Sequence, residues 1–130
     1  MPEKTIIATP HAPAARGPYS QAVRAGNLIF VAGQLAIDPG SGQLLAEADI
    51  GVQTERTLRN VQAILAAAGS GLEQVIKTTV YMSDLGEFAA MNEVYARFFA
   101  SNPPARATVE VRRLPLNVKV EIEAVALAQG

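Results

Sequence analysis

Val118-Lys-Val-Glu-Ile-Glu-Ala-Val-Ala-Leu127 alternates in character along its length, and that alternation decides the fold. In an extended strand Val120, Ile122, Ala124 and Ala126 fall on one side, and Lys119, Glu121, Glu123, Val125 and Leu127 on the other. The first set is wholly apolar and suits a face covered by helices. The second is half charged and half apolar. Apolar surface of that kind is a liability in water, so a second subunit is expected to cover it.

Working outward, the rest of the chain supplies the helices and the neighbouring strands. Asp49 reads as the N-cap of a helix running to about Ala68, with Val52, Leu58, Val61, Ile64, Leu65 and Ala68 as its apolar stripe. Glu55, Arg56 and Arg59 lie largely off that stripe, and Gly69 is placed to end the helix. Val75 to Ser83 is rich in β-branched residues and reads as a strand. Asp84 with Glu87 resembles a capping box. It introduces a second helix with Leu85, Phe88, Met91, Tyr95 and Phe98 at helical spacing, ending before Pro103. Ala107 to Arg112 is expected to be a strand, separated from the last one by Leu114-Pro-Leu-Asn117. Upstream, Tyr19 to Ala25 and Leu28 to Leu35 read as a hairpin about Gly26-Asn27, with Thr5 to Thr9 as a short edge strand. Asp38-Pro-Gly-Ser-Gly42 is a turn. The order predicts an α+β domain over residues 1–130: a mixed sheet of about six strands with two helices on one face.

Composition narrows the chemistry. The chain has 130 residues, 49% of them hydrophobic and 18% charged, which is the balance of a chain that folds. It has no Cys and one His, so thiolate chemistry, disulfides and a Cys/His zinc cluster are excluded. The formal net charge is -1 and aromatic residues make up 5%, a poor match to nucleic-acid binding. Residues 1–20 hold no apolar signal core, and no apolar run is long enough to cross a bilayer. A soluble cytoplasmic protein is the default expectation.

Few motifs offer catalytic groups. His11 lies in a Pro/Ala-rich segment without an evident partner, and reads as a loop residue. Gly40-Ser-Gly42 and Gly69-Ser-Gly71 lack the further glycine of a dinucleotide fingerprint, and no Walker-type Gly-Lys-Ser/Thr occurs. What remains is polar residues in strands. Arg106, Thr108, Glu110 and Arg112 alternate onto one face, and Arg106 follows the rigid Asn102-Pro-Pro-Ala105. An arginine so placed can hold a carboxylate in two parallel hydrogen bonds. Glu121 interrupts an otherwise apolar strand. On pattern alone, each is equally read as a surface charge or half of an ion pair.

Four stretches carry a resemblance that goes further. They are Gly17-Pro-Tyr-Ser-Gln-Ala22; Ala32-Gly-Gln34 with Asp38-Pro39 and Gly42; Pro104-Ala-Arg106 with Thr108-Val-Glu-Val111 and Leu114-Pro115; and Val120-Glu-Ile-Glu-Ala-Val-Ala126. In this order and at these separations the chain resembles the RidA/YjgF family over nearly its whole length. The resemblance implies a chorismate-mutase-like fold assembled as a homotrimer, with the sheets forming a central barrel and clefts between subunits. It implies hydrolysis of reactive enamines and imines, such as 2-aminoacrylate and 2-iminobutanoate, to 2-keto acids and ammonia. Such substrates are released by pyridoxal-phosphate enzymes. No cofactor, metal, nucleic acid or membrane partner is implied for this activity.

Residue by residue, the resemblance puts the carboxylate-binding arginine on Arg106, the water-positioning glutamate on Glu121 and the cleft tyrosine on Tyr19. It puts a ligand-facing backbone on Gly33, Asn92 at the site's edge, and Thr108 among the substrate-binding residues. Two positions depart from the common pattern. Thr108 stands where many members carry Cys, which implies that a thiol is dispensable for imine hydrolysis. Ala32 stands where many carry Ser, which removes one hydrogen-bonding group. The family also contains proteins described as endoribonucleases or translation inhibitors, and others proposed as non-catalytic ligand binders.

Overall fold

The strand at the C-terminal end sits inside the sheet, as its two-sided pattern requires. The computed structural model describes residues 3–129. Six strands, β1 (Lys4–Ile7), β2 (Ala22–Ala25), β3 (Leu28–Gln34), β4 (Val75–Met82), β5 (Ala105–Glu110) and β6 (Val120–Leu127), form one sheet in the order β1-β2-β3-β6-β4-β5. β4 and β5 run parallel, and every other neighbouring pair is antiparallel. Helix α1 (Ile50–Ala67) crosses from β3 to β4, and α2 (Phe88–Phe98) makes the crossover between the parallel pair.

Both helices cover the face of Val120, Ile122, Ala124 and Ala126, all of which are buried with Ile29, Val31, Val80 and Met82. Leu58, Val61, Ile64 and Leu65 of α1 and Met91 and Tyr95 of α2 complete this core. The opposite face keeps Phe30, Val109 and Leu127 exposed beside Lys77 and Glu123. It is the half-apolar face that the alternation anticipates.

α1 begins and ends as its sequence directs. The Asp49 carboxylate accepts from the Val52 N–H at 2.9 Å. At the other end Gly69 takes φ +76°, and the Ser70 N–H reaches back to the Leu65 carbonyl at 2.8 Å, a Schellman closure. The stripe needs one correction. Val52 is 48% exposed, and Ile50 occupies the buried position of the first turn.

Other boundaries also move. The proposed strand at Tyr19–Gln21 is irregular, because the Gln21 side chain is spent on the preceding loop and the Tyr19 N–H turns back to the Gly17 carbonyl. Asp84 caps a single 3₁₀ turn, Leu85–Glu87, through the Gly86 N–H, and α2 starts only at Phe88. Glu87 gives no side-chain bond back, so the capping box does not form, and Leu85 stays exposed. β5 starts at Ala105 and stops at Glu110, which leaves Arg112 beyond it. The Leu114–Asn117 segment carries the chain from the edge strand to the sheet centre. It does so with Leu116 and Asn117 both in the left-handed region, at φ +57° and +60°.

Candidate functional site, in two halves

The residues singled out from the sequence fall into two groups on opposite faces of the sheet. Register fixes this. Arg106 pairs with Thr78, which is buried against the helices, whereas Glu121 pairs with Tyr81, of opposite parity on the same strand. Arg106 therefore lies on the helix-covered face at the edge strand, and Glu121 on the open face. They line separate cavities that share no residue.

The arginine half is built by one stripe of α2. Phe88, Asn92 and Tyr95 recur at helical spacing and meet Arg106 together. Asn92 Oδ1 accepts from Arg106 Nη1 at 2.7 Å. The guanidinium carbon lies 4.6 Å from the Tyr95 ring centroid and 5.4 Å from that of Phe88. Tyr95 is fixed in turn by a 2.7 Å bond between its hydroxyl and that of Thr78. Burial raises the Tyr95 pKa, while Thr78 and the nearby Arg106 charge act to lower it. The phenol thus remains neutral at physiological pH. Among the described residues Arg106 has no carboxylate partner, so most of its planar fork faces a cavity of about 400 Å³ lined also by Pro103, Pro104 and Phe99. Thr108, one pleat further on, keeps a buried hydroxyl with no protein partner among the described residues. Such an orphan is a ready contact for water or ligand.

The glutamate half lines a cavity of about 390 Å³ with Tyr19, Gly33, Arg16, Pro115 and Leu116 among its walls. Gly33 sits at the irregularity where β3 shifts register against β6 between Val31 and Gln34. The Glu121 side chain lies over its α-carbon, and a Cβ there would overlap the carboxylate. A side chain here would force the Glu121 carboxylate to move aside, whereas the backbone itself, with an ordinary φ, does not call for glycine. Burial raises the Glu121 pKa above its usual value, and the neighbouring Glu123 charge raises it further. A carboxylate so tuned is better matched to proton transfer near neutral pH than an exposed one.

Polar residues inside α1, which the apolar stripe does not reveal, tie the helix to its surroundings, and one of them, Asn60, holds a wall of this second half. Asn60 donates to the carbonyls of Leu35 and Ile37 at 3.0 Å each, and both residues line the cavity. Gln53 donates to the carbonyls of Ala46 and Ala48 and accepts from the Lys119 N–H at 2.9 Å. Gln21 similarly ties down residues 9–13. The only signal for Gln53 and Asn60 in the sequence is that they are polar side chains at helix positions that the register of the apolar stripe would bury. Among the described residues no cluster of three or more His, Asp or Glu could hold a metal ion, and no helix is long and apolar enough to cross a membrane.

Similarity to known proteins is extensive. A family model described as Endoribonuclease L-PSP matches residues 9–128. A RutC family protein of Pyrococcus horikoshii is 54% identical over 123 residues, covering 95% of this chain and 97% of that protein. The chloroplastic Reactive Intermediate Deaminase A of Arabidopsis thaliana is 45% identical over 124 residues, which span 95% of this chain and 66% of that one. The crystal structure of E. coli TdcF with bound serine superposes with a TM-score of 0.91 at 44% identity, covering 96% of this chain and 99% of the other. With a family model matched from Thr9 to Ala128 and a relative this similar across both lengths, the chain belongs to the RidA/YjgF family.

Proposed function

We propose that the protein is a deaminase for reactive 2-imino acids, with 2-iminobutanoate and 2-iminopropanoate (the imine of 2-aminoacrylate) as substrates, and that two copies complete each site. The observation that carries this reading is the complementarity of the halves. One offers a pre-oriented guanidinium with no anion. The other offers a half-buried carboxylate of raised pKa beside open space. A 2-imino acid needs both: a cation for its carboxylate and a base for the water that attacks its C2. Because the halves lie on opposite faces, they meet only if Arg106 of one copy approaches Glu121 of the next. The exposed apolar residues Phe30, Val109 and Leu127 supply a face for such an assembly, a homotrimer in this family's pattern.

The chemistry then follows from the geometry. Arg106 binds the substrate carboxylate, and Asn92 with the two rings keeps the fork aimed. A water lies against Glu121 near the Gly33 backbone. Its oxygen adds to C2 of the protonated imine while Glu121 takes its proton. Glu121 then returns that proton to the nitrogen. The C2–N bond breaks with its electron pair on nitrogen, the hydroxyl oxygen becomes the carbonyl, and its proton leaves with the ammonia as ammonium. Iminium and water thus give 2-keto acid and ammonium in balance. The protein's residues supply orientation and one proton relay, with no covalent intermediate. Tyr19 and Thr108 border the two halves as substrate-binding residues.

Two relatives support the substrate class. One is described as a reactive intermediate deaminase. The other binds serine, whose carboxylate and α-nitrogen match those of a 2-imino acid. Pyridoxal-phosphate dehydratases, which release such imines, are the expected suppliers. The endoribonuclease description of the family model finds less support in this chain. Its one histidine, His11, is exposed and borders an alanine-walled cavity away from both halves. The test is to generate 2-iminobutanoate from threonine with a dehydratase and trap it with semicarbazide. The protein should reduce the trapped adduct in proportion to its concentration. Undiminished trapping would refute the deaminase reading.

A further inference from the structure

Arg16 lines the same cavity as Glu121 and takes no part in the hydrolysis described above. Its backbone is firmly placed. Its N–H donates to the Tyr19 hydroxyl at 3.3 Å, and the Tyr19 N–H donates to the Gly17 carbonyl at 2.8 Å. Upstream, the buried Gln21 amide donates to the carbonyls of Thr9, Ala12 and Pro13. Pro13 and Pro18 stiffen both sides. The guanidinium, by contrast, has neither ion pair nor hydrogen bond among the described residues. Leu35, Ile37, Pro115 and Leu116 give the cavity a largely apolar wall. Leu116 is held there in a left-handed backbone conformation that a leucine rarely adopts.

The cavity therefore offers a substrate side chain an apolar wall and an unpaired cation. We propose that Arg16 is a specificity-determining residue that binds a carboxylate on the substrate's side chain, so that this deaminase prefers imines of dicarboxylic amino acids, such as 2-iminosuccinate. The inference rests on the deaminase reading. Arg106 of one copy would hold the α-carboxylate, Glu121 of the next would serve C2, and Arg16 would hold the far end. A second carboxylate brought toward Glu121 is repelled unless a cation offsets it, and Arg16 is the cation in that cavity.

The supplier class follows from the substrate. Dehydration of serine or threonine by β-elimination leaves an uncharged side chain. An imine that keeps a side-chain carboxylate forms instead when the α-carbon–nitrogen bond of an acidic amino acid is oxidised. The amino acid then loses two electrons and two protons: a flavin on the supplying enzyme takes up all of them, whereas a nicotinamide takes a hydride and the second proton is released to solvent. An amino-acid oxidase or dehydrogenase is thus a class of reaction that would supply the dicarboxylic imines, beside the dehydratases that supply the uncharged ones.

The test compares two imines made in place. 2-Iminosuccinate comes from aspartate with an aspartate oxidase, and 2-iminobutanoate from 2-aminobutanoate with an amino-acid oxidase; semicarbazide trapping reads both. The full-length protein should hydrolyse the dicarboxylic imine with the higher kcat/KM. In Arg16→Leu the ratio of the two values should fall about 10- to 100-fold, mainly through KM. Arg16→Lys should recover part of the ratio, because it keeps the charge. A ratio that does not move, or two rates that fall together, would overturn the role of Arg16 while leaving the deaminase reading intact. An Arg16→Leu chain that no longer assembles would assign Arg16 to a subunit contact and overturn it too. If the wild type hydrolyses neither imine, the deaminase reading falls and this inference falls with it.

Discussion

At the scale of single residues, the site depends on three side-chain placements. Arg106 is one cation held by three residues of one helix stripe, so Arg106→Ala removes a charge-assisted contact of roughly 1.5–3 kcal/mol. Steady-state imine hydrolysis should show kcat/KM reduced about 10- to 150-fold. Arg106→Lys should recover little, since an ammonium can neither reproduce the planar fork nor stack between Phe88 and Tyr95. Gly33→Ala tests the second placement, because its methyl group would claim the space of the Glu121 carboxylate. Turnover should fall about 10- to 100-fold with secondary structure unchanged by circular dichroism, as expected when a base is displaced by about an ångström. The third is electrostatic. Glu121 must be ionised to accept a proton, and both burial and Glu123 raise its pKa above the usual 4.5. The acidic limb of the kcat/KM profile should therefore lie above that value. Glu123→Gln removes one of the two causes, so the limb should shift to lower pH; an unmoved or raised limb would contradict the assignment. In the sequence, Glu121 was visible as a break in an apolar alternation and Arg106 as a cation after two prolines. Pattern alone left both open to a surface role, because their partners lie far along the chain.

At the scale of elements, what the sequence disclosed depended on how local the physics was. The Asp49 cap and the Gly69 terminator act within one turn, and both ends of α1 form as read. The two-sided pattern of β6 likewise predicts its buried and open faces. The capping box at Asp84 and Glu87 does not form, since a 3₁₀ turn intervenes: the Asp84 carboxylate takes the Gly86 N–H, and the Glu87 N–H goes to the Asp84 carbonyl. The polar residues of α1 were illegible for a different reason. Gln53 and Asn60 are fully buried, yet Gln53 accepts from the Lys119 amide and Asn60 donates to the Leu35 and Ile37 carbonyls, partners that only the folded chain brings near. Asn60→Ala should cost about 1–3 kcal/mol in urea denaturation at fixed protein concentration, since the Ile37 carbonyl loses its Asn60 partner and the Leu35 carbonyl keeps only the Ile37 N–H. It should also lower turnover by loosening the cavity wall. Loss of stability without any effect on turnover would separate that splint from the site.

At the scale of the whole molecule, the sheet order is what divides the site. β6 lies between β3 and β4, so Glu121 projects from the middle of the open face, while Arg106 rides the edge strand on the other. The alternation of β6 predicts an open face needing cover, but nothing local to either residue indicates that one chain alone keeps them apart. Catalysis on this reading belongs to the interface between copies. This is tested most directly by complementation. Arg106→Ala and Glu121→Gln chains, each nearly inactive alone, are unfolded, mixed in equal amounts and refolded together, and imine hydrolysis is measured. In a closed ring of three, every mixed trimer has one interface that joins an intact Glu121 to an intact Arg106. Random assembly should therefore restore about one quarter of wild-type activity. If the mixed sample is no more active than the two variants assayed separately, although mixed trimers have formed, Arg106 and Glu121 do not serve a shared site.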